Sequence, residues 1–182
     1  MDNLYRSYKN DEYQPENFWH NPSSLIIVPT MRIALFQPDI AGNVGTILRT
    51  AACFGVGVDI IEPCGFAFSD RALKRAGMDY AKIAPPVRHN DWNSFLSTRP
   101  ERRVLLTTAG DIPLPEMTFQ PDDILLFGSE SAGAPDFVHQ AASHQVRIPL
   151  LTDFRSLNIA VSAGIALAEA LRQTGGFAHE VR

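Results

Sequence analysis

Cysteine is scarce in this chain: only Cys53 and Cys64 occur, and they do not form a Cys-x-x-Cys pair. Neither a disulfide framework nor a metal site is expected, and both cysteines read as small core hydrophobes in a reduced compartment. Long hydrophobic runs are missing too. The early apolar stretch Leu25-Ile26-Ile27-Val28 is far too short to cross a bilayer. Residues Met1 to Arg6 lack the basic and apolar regions of a secretory signal, so the expected compartment is the cytoplasm, away from membranes. No G-x-G-x-x-G turn is present, which excludes the usual nicotinamide-binding fingerprint. Excess positive charge is also lacking. Sixteen Lys and Arg face 20 Asp and Glu, a net charge of −4, and by its sum this disfavours a polyanionic partner.

The distribution of charge differs from its sum. Arg71, Lys74, Arg75, Lys82, Arg88, Arg99, Arg102 and Arg103 are opposed over that stretch only by Asp79, Asp91 and Glu101. Two readings stand: an ordinary solvated surface, or a nucleic-acid footprint within an acidic protein. The 182 residues, 45% of them hydrophobic, suffice for one real core. Residues 1–30 are rich in Asn, Asp, Tyr and Pro and show no sustained periodicity, so they read as a weakly ordered extension to a domain over 31–182.

From Met31 onward, strand and helix signals alternate. Ile33–Phe36, Val58–Ile61, Val104–Thr107, Ile124–Phe127 and Val146–Ile148 read as buried strands. Helices are expected after Gly42, with Ile47, Ala51 and Phe54 on one face and Gly55 closing it. Others are expected after a Ser69 cap, after an Asp91 cap near Trp92–Leu96, after Pro135, and from Asn158 to Thr174, where Gly175-Gly176 closes the last. The pattern predicts an α/β fold: a parallel sheet with helices on both faces and ligands at the strands' carboxyl ends. The last helix carries a run of small residues, Ala160, Ser162, Ala163, Gly164, Ala166 and Ala168. Close packing within the chain and a helix-mediated dimer both account for it.

Three segments follow strands and carry polar groups suited to chemistry. In Ala41 to Arg49, Asn43 is the expected N-cap, Gly45 leaves the first turn bare, and Arg49 adds a cation suited to phosphate or ribose. In Leu125 to Pro135, the glycines permit close backbone approach to a flat ligand, and Glu130 adds an acceptor. In Ile148 to Asn158, Ser156 and Asn158 stand where helix caps are expected in any case. Each segment alone also fits a plain capped turn. Their order, each behind a strand, favours a shared site.

Together the segments resemble the motifs of the SPOUT superfamily, in its SpoU branch of RNA 2′-O-methyltransferases. The pattern N-x-G-x-x-x-R, F-G-x-E-x-x-G, then I-P and S-[LM]-N stands here as Asn43, Gly45, Arg49; Phe127, Gly128, Glu130, Gly133; and Ile148, Pro149, Ser156, Leu157, Asn158. A closer resemblance is to the short tRNA (cytidine/uridine-2′-O)-methyltransferases of the anticodon wobble position, carried by Ile60–Phe66, Arg75–Tyr80, Arg88-His89 and Leu106-Thr107-Thr108. The resemblance implies a deep C-terminal trefoil knot, a rare exception to unknotted connectivity. It also implies a homodimer that completes the site, S-adenosylmethionine as cofactor, and the anticodon stem-loop of tRNA as partner. Leu106, Thr107, Gly128, Ser129, Ile148, Ser156 and Leu157 would hold the cofactor. Asn43, Arg49, Glu130, Ser156 and Asn158 would form the reactive centre, with Arg49 stabilising the developing oxyanion. Relatives often carry Arg where this chain has Ala132, so an RNA contact is lost here or supplied by Arg155. The alternatives are another tRNA position or ribosomal RNA as target, or a non-catalytic RNA-binding assembly factor.

Overall fold

The computed structural model describes residues 30–67 and 84–177. The expected extension, the Ser69-capped helix and the basic cluster at Arg71–Lys82 lie outside these residues, apart from Thr30. In chain order the elements are β1 (Arg32–Phe36), α1 (Ala41–Cys53), β2 (Gly57–Ile61), β3 (Val87–His89), α2 (Trp92–Thr98) and β4 (Arg103–Leu106). Then come β5 (Ile112–Pro113), β6 (Ile124–Phe127), α3 (Asp136–Ala141), β7 (His144–Arg147) and α4 (Ile159–Thr174). The seven strands form one sheet in the order β3-β2-β1-β6-β4-β7-β5, with every pairing parallel.

Parallel strands are covered on both faces, and the pleat decides which side chain goes where. Ile33 and Leu35 of β1, with Leu125 and Phe127 of β6, point into a core closed by α1 and α4. Ala34, Phe36, Ile124 and Leu126 point the other way, against Phe95 of α2 and Val138 of α3. Helix α1 buries Val44, Ile47, Leu48 and Ala51, the apolar stripe of a helical period. Helix α4 buries Ala160, Ala163, Ala166 and Ala170, whose small side chains let it lie close against α1 and the sheet. Its Val161 and Ile165 remain exposed on the outer face. Asp91 caps α2 as expected: its carboxylate accepts from Ser94 N (2.7 Å), and Ser94 Oγ accepts in return from Asp91 N (3.2 Å). Gly175, at φ 65°, ends α4 in the left-handed region.

Four expectations need correction. Helix α1 starts at Ala41 behind Ile40, so Asn43 is not its N-cap; Ile40 O already accepts from the backbone N–H groups of Asn43 and Val44. Gly45 is consequently buried in the second turn. The seventh strand ends at Arg147, because pairing with β4 and β5 covers 144–147 and the chain then leaves the sheet ahead of Pro149. Cys53 is exposed and no core residue. Cys64 is half-buried against the core; burial, aided by the Glu62 carboxylate, pushes its thiol up to about 11.

The described part of the basic stretch is mostly consumed inside the fold. Buried Asp59 is ringed by Arg32 (2.5 Å), His89 (2.7 Å) and Arg99 (3.1 Å). Arg102 clamps buried Asp123 at 2.6 and 2.7 Å, and Arg103 donates to the carbonyls of Ala141, Arg99 and Glu101. Arg102 and Arg103 stand where β4 begins, at the sheet edge opposite the polar segments. They brace the fold and do not form an open footprint. Among the described residues no helix is long and apolar enough to cross a membrane, and no group of His, Cys, Asp and Glu is placed to hold a metal.

Candidate active site

A cavity of about 390 Å³ opens at the carboxyl ends of β4, β6 and β7, within the range of roughly 300–1,000 Å³ usual for small-molecule sites. Each strand feeds it through the loop that follows. After β4 come Thr107 and Thr108; after β6, Gly128, Ser129, Glu130, Gly133 and Ala134; after β7, Ile148, Leu150, Ser156, Leu157 and Asn158. Ile40 and Asn43 enter from the start of α1, and Ser162 from the first turns of α4. Leu106, Ile148 and Leu157 give it apolar wall, while hydroxyls and amides stand beside them.

Every residue expected to hold the cofactor lines this cavity: Leu106, Thr107, Gly128, Ser129, Ile148, Ser156 and Leu157. Of the expected reactive centre, Asn43, Glu130, Ser156 and Asn158 line it as well. Arg49 does not. It is exposed on α1, about 9 Å further along the helix axis than Asn43 at 1.5 Å of rise per residue.

One hydrogen-bond chain joins the three segments. Asn43 Nδ2 donates to Glu130 Oε1 (2.9 Å), and Asn158 Nδ2 donates to Asn43 Oδ1 (3.0 Å). Asn158 Oδ1 in turn accepts from Ala160 N (2.9 Å) and Val161 N (3.3 Å), capping α4. Asn158 therefore does both things its position allowed, closing a helix and reaching the cavity. Asn43, inside the first turn of α1, spends its amide on partners distant in sequence.

A residue missing from the expectations completes the brace. Asp39 N donates to the second oxygen of Glu130 (2.8 Å), and Asp39 Oδ2 accepts from Ser131 N (3.0 Å) and Ser131 Oγ (2.5 Å). Those bonds from Ser131 hold the Asp39 carboxyl below the ordinary carboxylate range. The signal in sequence was an acid just before α1, which reads equally well as a helix-start residue.

The role expected for the glycines also changes. A Cβ on Gly128 would lie 2.3 Å from the carbonyl carbon of Gly133 and 2.4 Å from Ala134 N. Ser129 and Gly133 exchange backbone hydrogen bonds of 3.0 and 2.9 Å, and Gly133 sits at φ 70°. The close approach is thus of the loop to itself, closing a tight turn that offers its edge to the cavity. Ala132 and Arg155 are both exposed.

With this geometry in place, similarity to known proteins becomes specific. The model of the SpoU rRNA Methylase family matches residues 30–168. A tRNA (cytidine(34)-2′-O)-methyltransferase of Beijerinckia indica is 51% identical over 149 residues, covering 80% of this chain and 93% of that one. One from Escherichia coli is 38% identical, covering 80% and 94%. A solved structure concerned with 2-OH methylation of C/U34 on tRNA superposes with a TM-score of 0.73 at 39% identity, over 79% of this chain and 95% of its own. An AdoMet-bound rRNA methyltransferase from Sinorhizobium meliloti gives 0.70 at 30% identity, over 78% and 56%. Motifs, sheet and relatives agree, and the chain belongs to the SpoU methylase family.

Proposed function

We propose that this chain methylates the ribose 2′-oxygen of the pyrimidine at the wobble position of tRNA, using S-adenosylmethionine, as a cytoplasmic homodimer of knotted chains. The observation that carries the reading is the cavity in which the expected cofactor residues meet Asn43, Glu130, Ser156 and Asn158, in a chain whose 51% and 38% identical relatives are tRNA (cytidine(34)-2′-O)-methyltransferases. Those relatives are bacterial tRNA-modifying enzymes, and tRNA is found in the cytoplasm.

The cavity suits the cofactor. Leu106, Ile148 and Leu157 offer apolar surface to a flat heteroaromatic ring, and Thr107, Ser129 and Ser156 offer hydroxyls to ribose and the amino-acid tail. Bound there, the cofactor supplies a methyl already activated on a sulfonium. What remains for the protein is alignment and charge. Asn43, Asn158 and Glu130 hold one another and so fix the rim where the ribose must enter. Held at that rim, the 2′-hydroxyl would face the methyl that the bound cofactor would supply, and its proton would pass to solvent.

Arg49 needs a second chain to take part. Leu151 is 77% exposed and Phe154 66%, both on the loop after β7 that borders the cavity, and Val161 and Ile165 of α4 are exposed as well. A surface of this kind marks an interface. In the dimer, Arg49 of the partner subunit is proposed to reach the reactive centre and stabilise the developing oxyanion; guanidinium stays protonated and so is no base. Arg155 would supply the RNA contact that Ala132 lacks.

The knot is proposed from how tightly the chain after β4 holds the later chain. Arg147 Nη1 donates to Gly110 O (2.9 Å) and Asp111 O (2.6 Å), and a Cβ on Gly110 would lie 2.6 Å from the Val146 carbonyl carbon. An experimental density map traced from 107 to 158 would decide it.

The deciding assay is transfer of labelled methyl from S-adenosylmethionine to tRNA lacking the modification, with nuclease mapping. Label in a 2′-O-methyl pyrimidine at the wobble position is expected. A second reading, ribosomal RNA as acceptor, has the Sinorhizobium meliloti neighbour behind it. Label in ribosomal RNA and none in tRNA would establish it instead.

A further inference from the structure

On the face of the sheet opposite the proposed cofactor cavity, a second cleft of about 760 Å³ opens at the carboxyl ends of β1 and β2. Its floor is aromatic. Trp92 stacks on buried Phe95 at 5.2 Å, which fixes the indole plane. Phe36 meets Trp92 edge-on at 5.7 Å and Phe137 at 5.8 Å, and Phe137 stands 6.2 Å from Trp92. Phe137, on α3, is nevertheless half exposed, an apolar ring left open to solvent beside two others. Amides border it: Gln37, Asn93 and Gln140. Asn93 and Gln140 make no side-chain hydrogen bond among the described residues. Gln37 is held at φ 48°, a left-handed conformation that a non-glycine residue rarely adopts.

The charges at this rim are already committed. Glu62 is paired with Arg88 at 2.6 Å, and Asp91 is spent on the cap of α2. What the cleft offers is flat apolar surface with neutral donors and acceptors around it. That combination suits neither a phosphate nor a cation. It suits an unpaired nucleobase, which stacks through its face and is read at its edge by amides.

Its position supplies the occupant. The loop between β1 and α1 gives Gln37 to this cleft and Ile40 to the cofactor cavity, and the first turn of α1 adds Asn43 to the latter. The chain from the end of β6 into α3 gives Glu130 to one and Phe137 to the other. Asp39 ties the two connections together through Glu130 and Ser131. No residue lines both clefts, but the same two segments feed each of them at the carboxyl ends of the strands. We infer that the Phe36–Trp92–Phe137 cleft binds the base of a nucleotide next to the one methylated, and so holds the RNA strand in register. The inference rests on RNA being the substrate.

The test uses the full chain and an anticodon stem-loop RNA. Wild-type methyl transfer to that RNA comes first, and its failure would count against the functional reading itself. Given transfer, Phe137→Ala is expected to raise KM for RNA about tenfold, in line with the loss of one stacked base, and to leave cofactor binding unchanged. RNA made abasic at one neighbour of the target nucleotide should abolish the difference between variant and wild type. In a Trp19→Phe background, which leaves Trp92 as the only tryptophan, the RNA should quench fluorescence and the abasic RNA should not. An unchanged KM overturns the inference. The same factor on intact RNA and on RNA abasic at either neighbour also overturns it, by showing a general structural effect. A Phe137→Ala protein that sediments as a smaller species would assign the cleft to a contact between copies of the chain.

Discussion

Gly128 shows what a single missing side chain does here. Its neighbour across the turn is backbone, the Gly133 carbonyl carbon and Ala134 N, and backbone of a hydrogen-bonded turn cannot swing aside as a flexible side chain would. Gly128→Ala must therefore open the turn, at a cost of about 1–3 kcal/mol in line with other overpacked sites. A melting curve should show the loss, and titration with S-adenosylmethionine should show weakened binding greater than any change in helix content. Unaltered affinity would mean that the turn's edge is not a cofactor contact. The motif residues were legible in sequence because their chemistry is carried by type and spacing. Which of them bond to one another was not. Nothing local to Asn43 announces Glu130 and Asn158, and a residue before a helix that is neither cap nor motif, such as Asp39, has no pattern by which to be singled out.

Among the elements, α4 illustrates how an end is anchored. Gln173 Nε2 donates to Met117 O (2.9 Å) and to Glu169 Oε1 (2.8 Å), while its Oε1 accepts from Phe119 N (3.0 Å). Glu169 also takes Arg172 in a two-pronged pair, at 2.9 and 2.8 Å. These bonds, the one from Arg172 foremost, lower the Glu169 carboxyl from 4.5 to about 2. A depressed carboxylate stabilises the fold fully above its ordinary value and loses that contribution as pH falls towards the folded value. The melting-temperature gap between wild type and Glu169→Gln should accordingly be constant above about pH 4.5 and close between there and about pH 2. The gap will be small, since the pair is largely solvated. A gap independent of acid would show that the carboxylate does not carry it. Element types were readable from period and caps: Ile124–Phe127 and the Asp91-capped α2 stand where expected. Boundaries failed where long-range pairing decides them, as at β7, whose end is set by β4 and β5 and by no local signal.

At the scale of the whole molecule, the proposed dimer predicts complementation. Arg49→Ala and Gly128→Ala chains should each be impaired alone at limiting cofactor, one lacking the oxyanion group and the other having a distorted cofactor turn. Mixed and allowed to exchange, they should recover methyl transfer in heterodimers, because one site then draws an intact cavity from one chain and Arg49 from the partner subunit. Absence of recovery in a mixture shown to contain heterodimers would place Arg49 and the cavity in the same chain's site. The sheet order could not be read from the sequence either, for it depends on β6 entering between β1 and β4 and on β7 entering between β4 and β5. The bond from Asn158 to Asn43 spans 115 positions of the chain. During synthesis, Asn43 and the first strands leave the ribosome long before Asn158 is translated. A nascent chain that has emerged only through the loop after β6 owns Glu130 and Asn43 yet has no third wall. On the proposed function, the ability to bind cofactor arrives late and abruptly, and a fluorescent cofactor analogue would act as a clock for the completion of this protein.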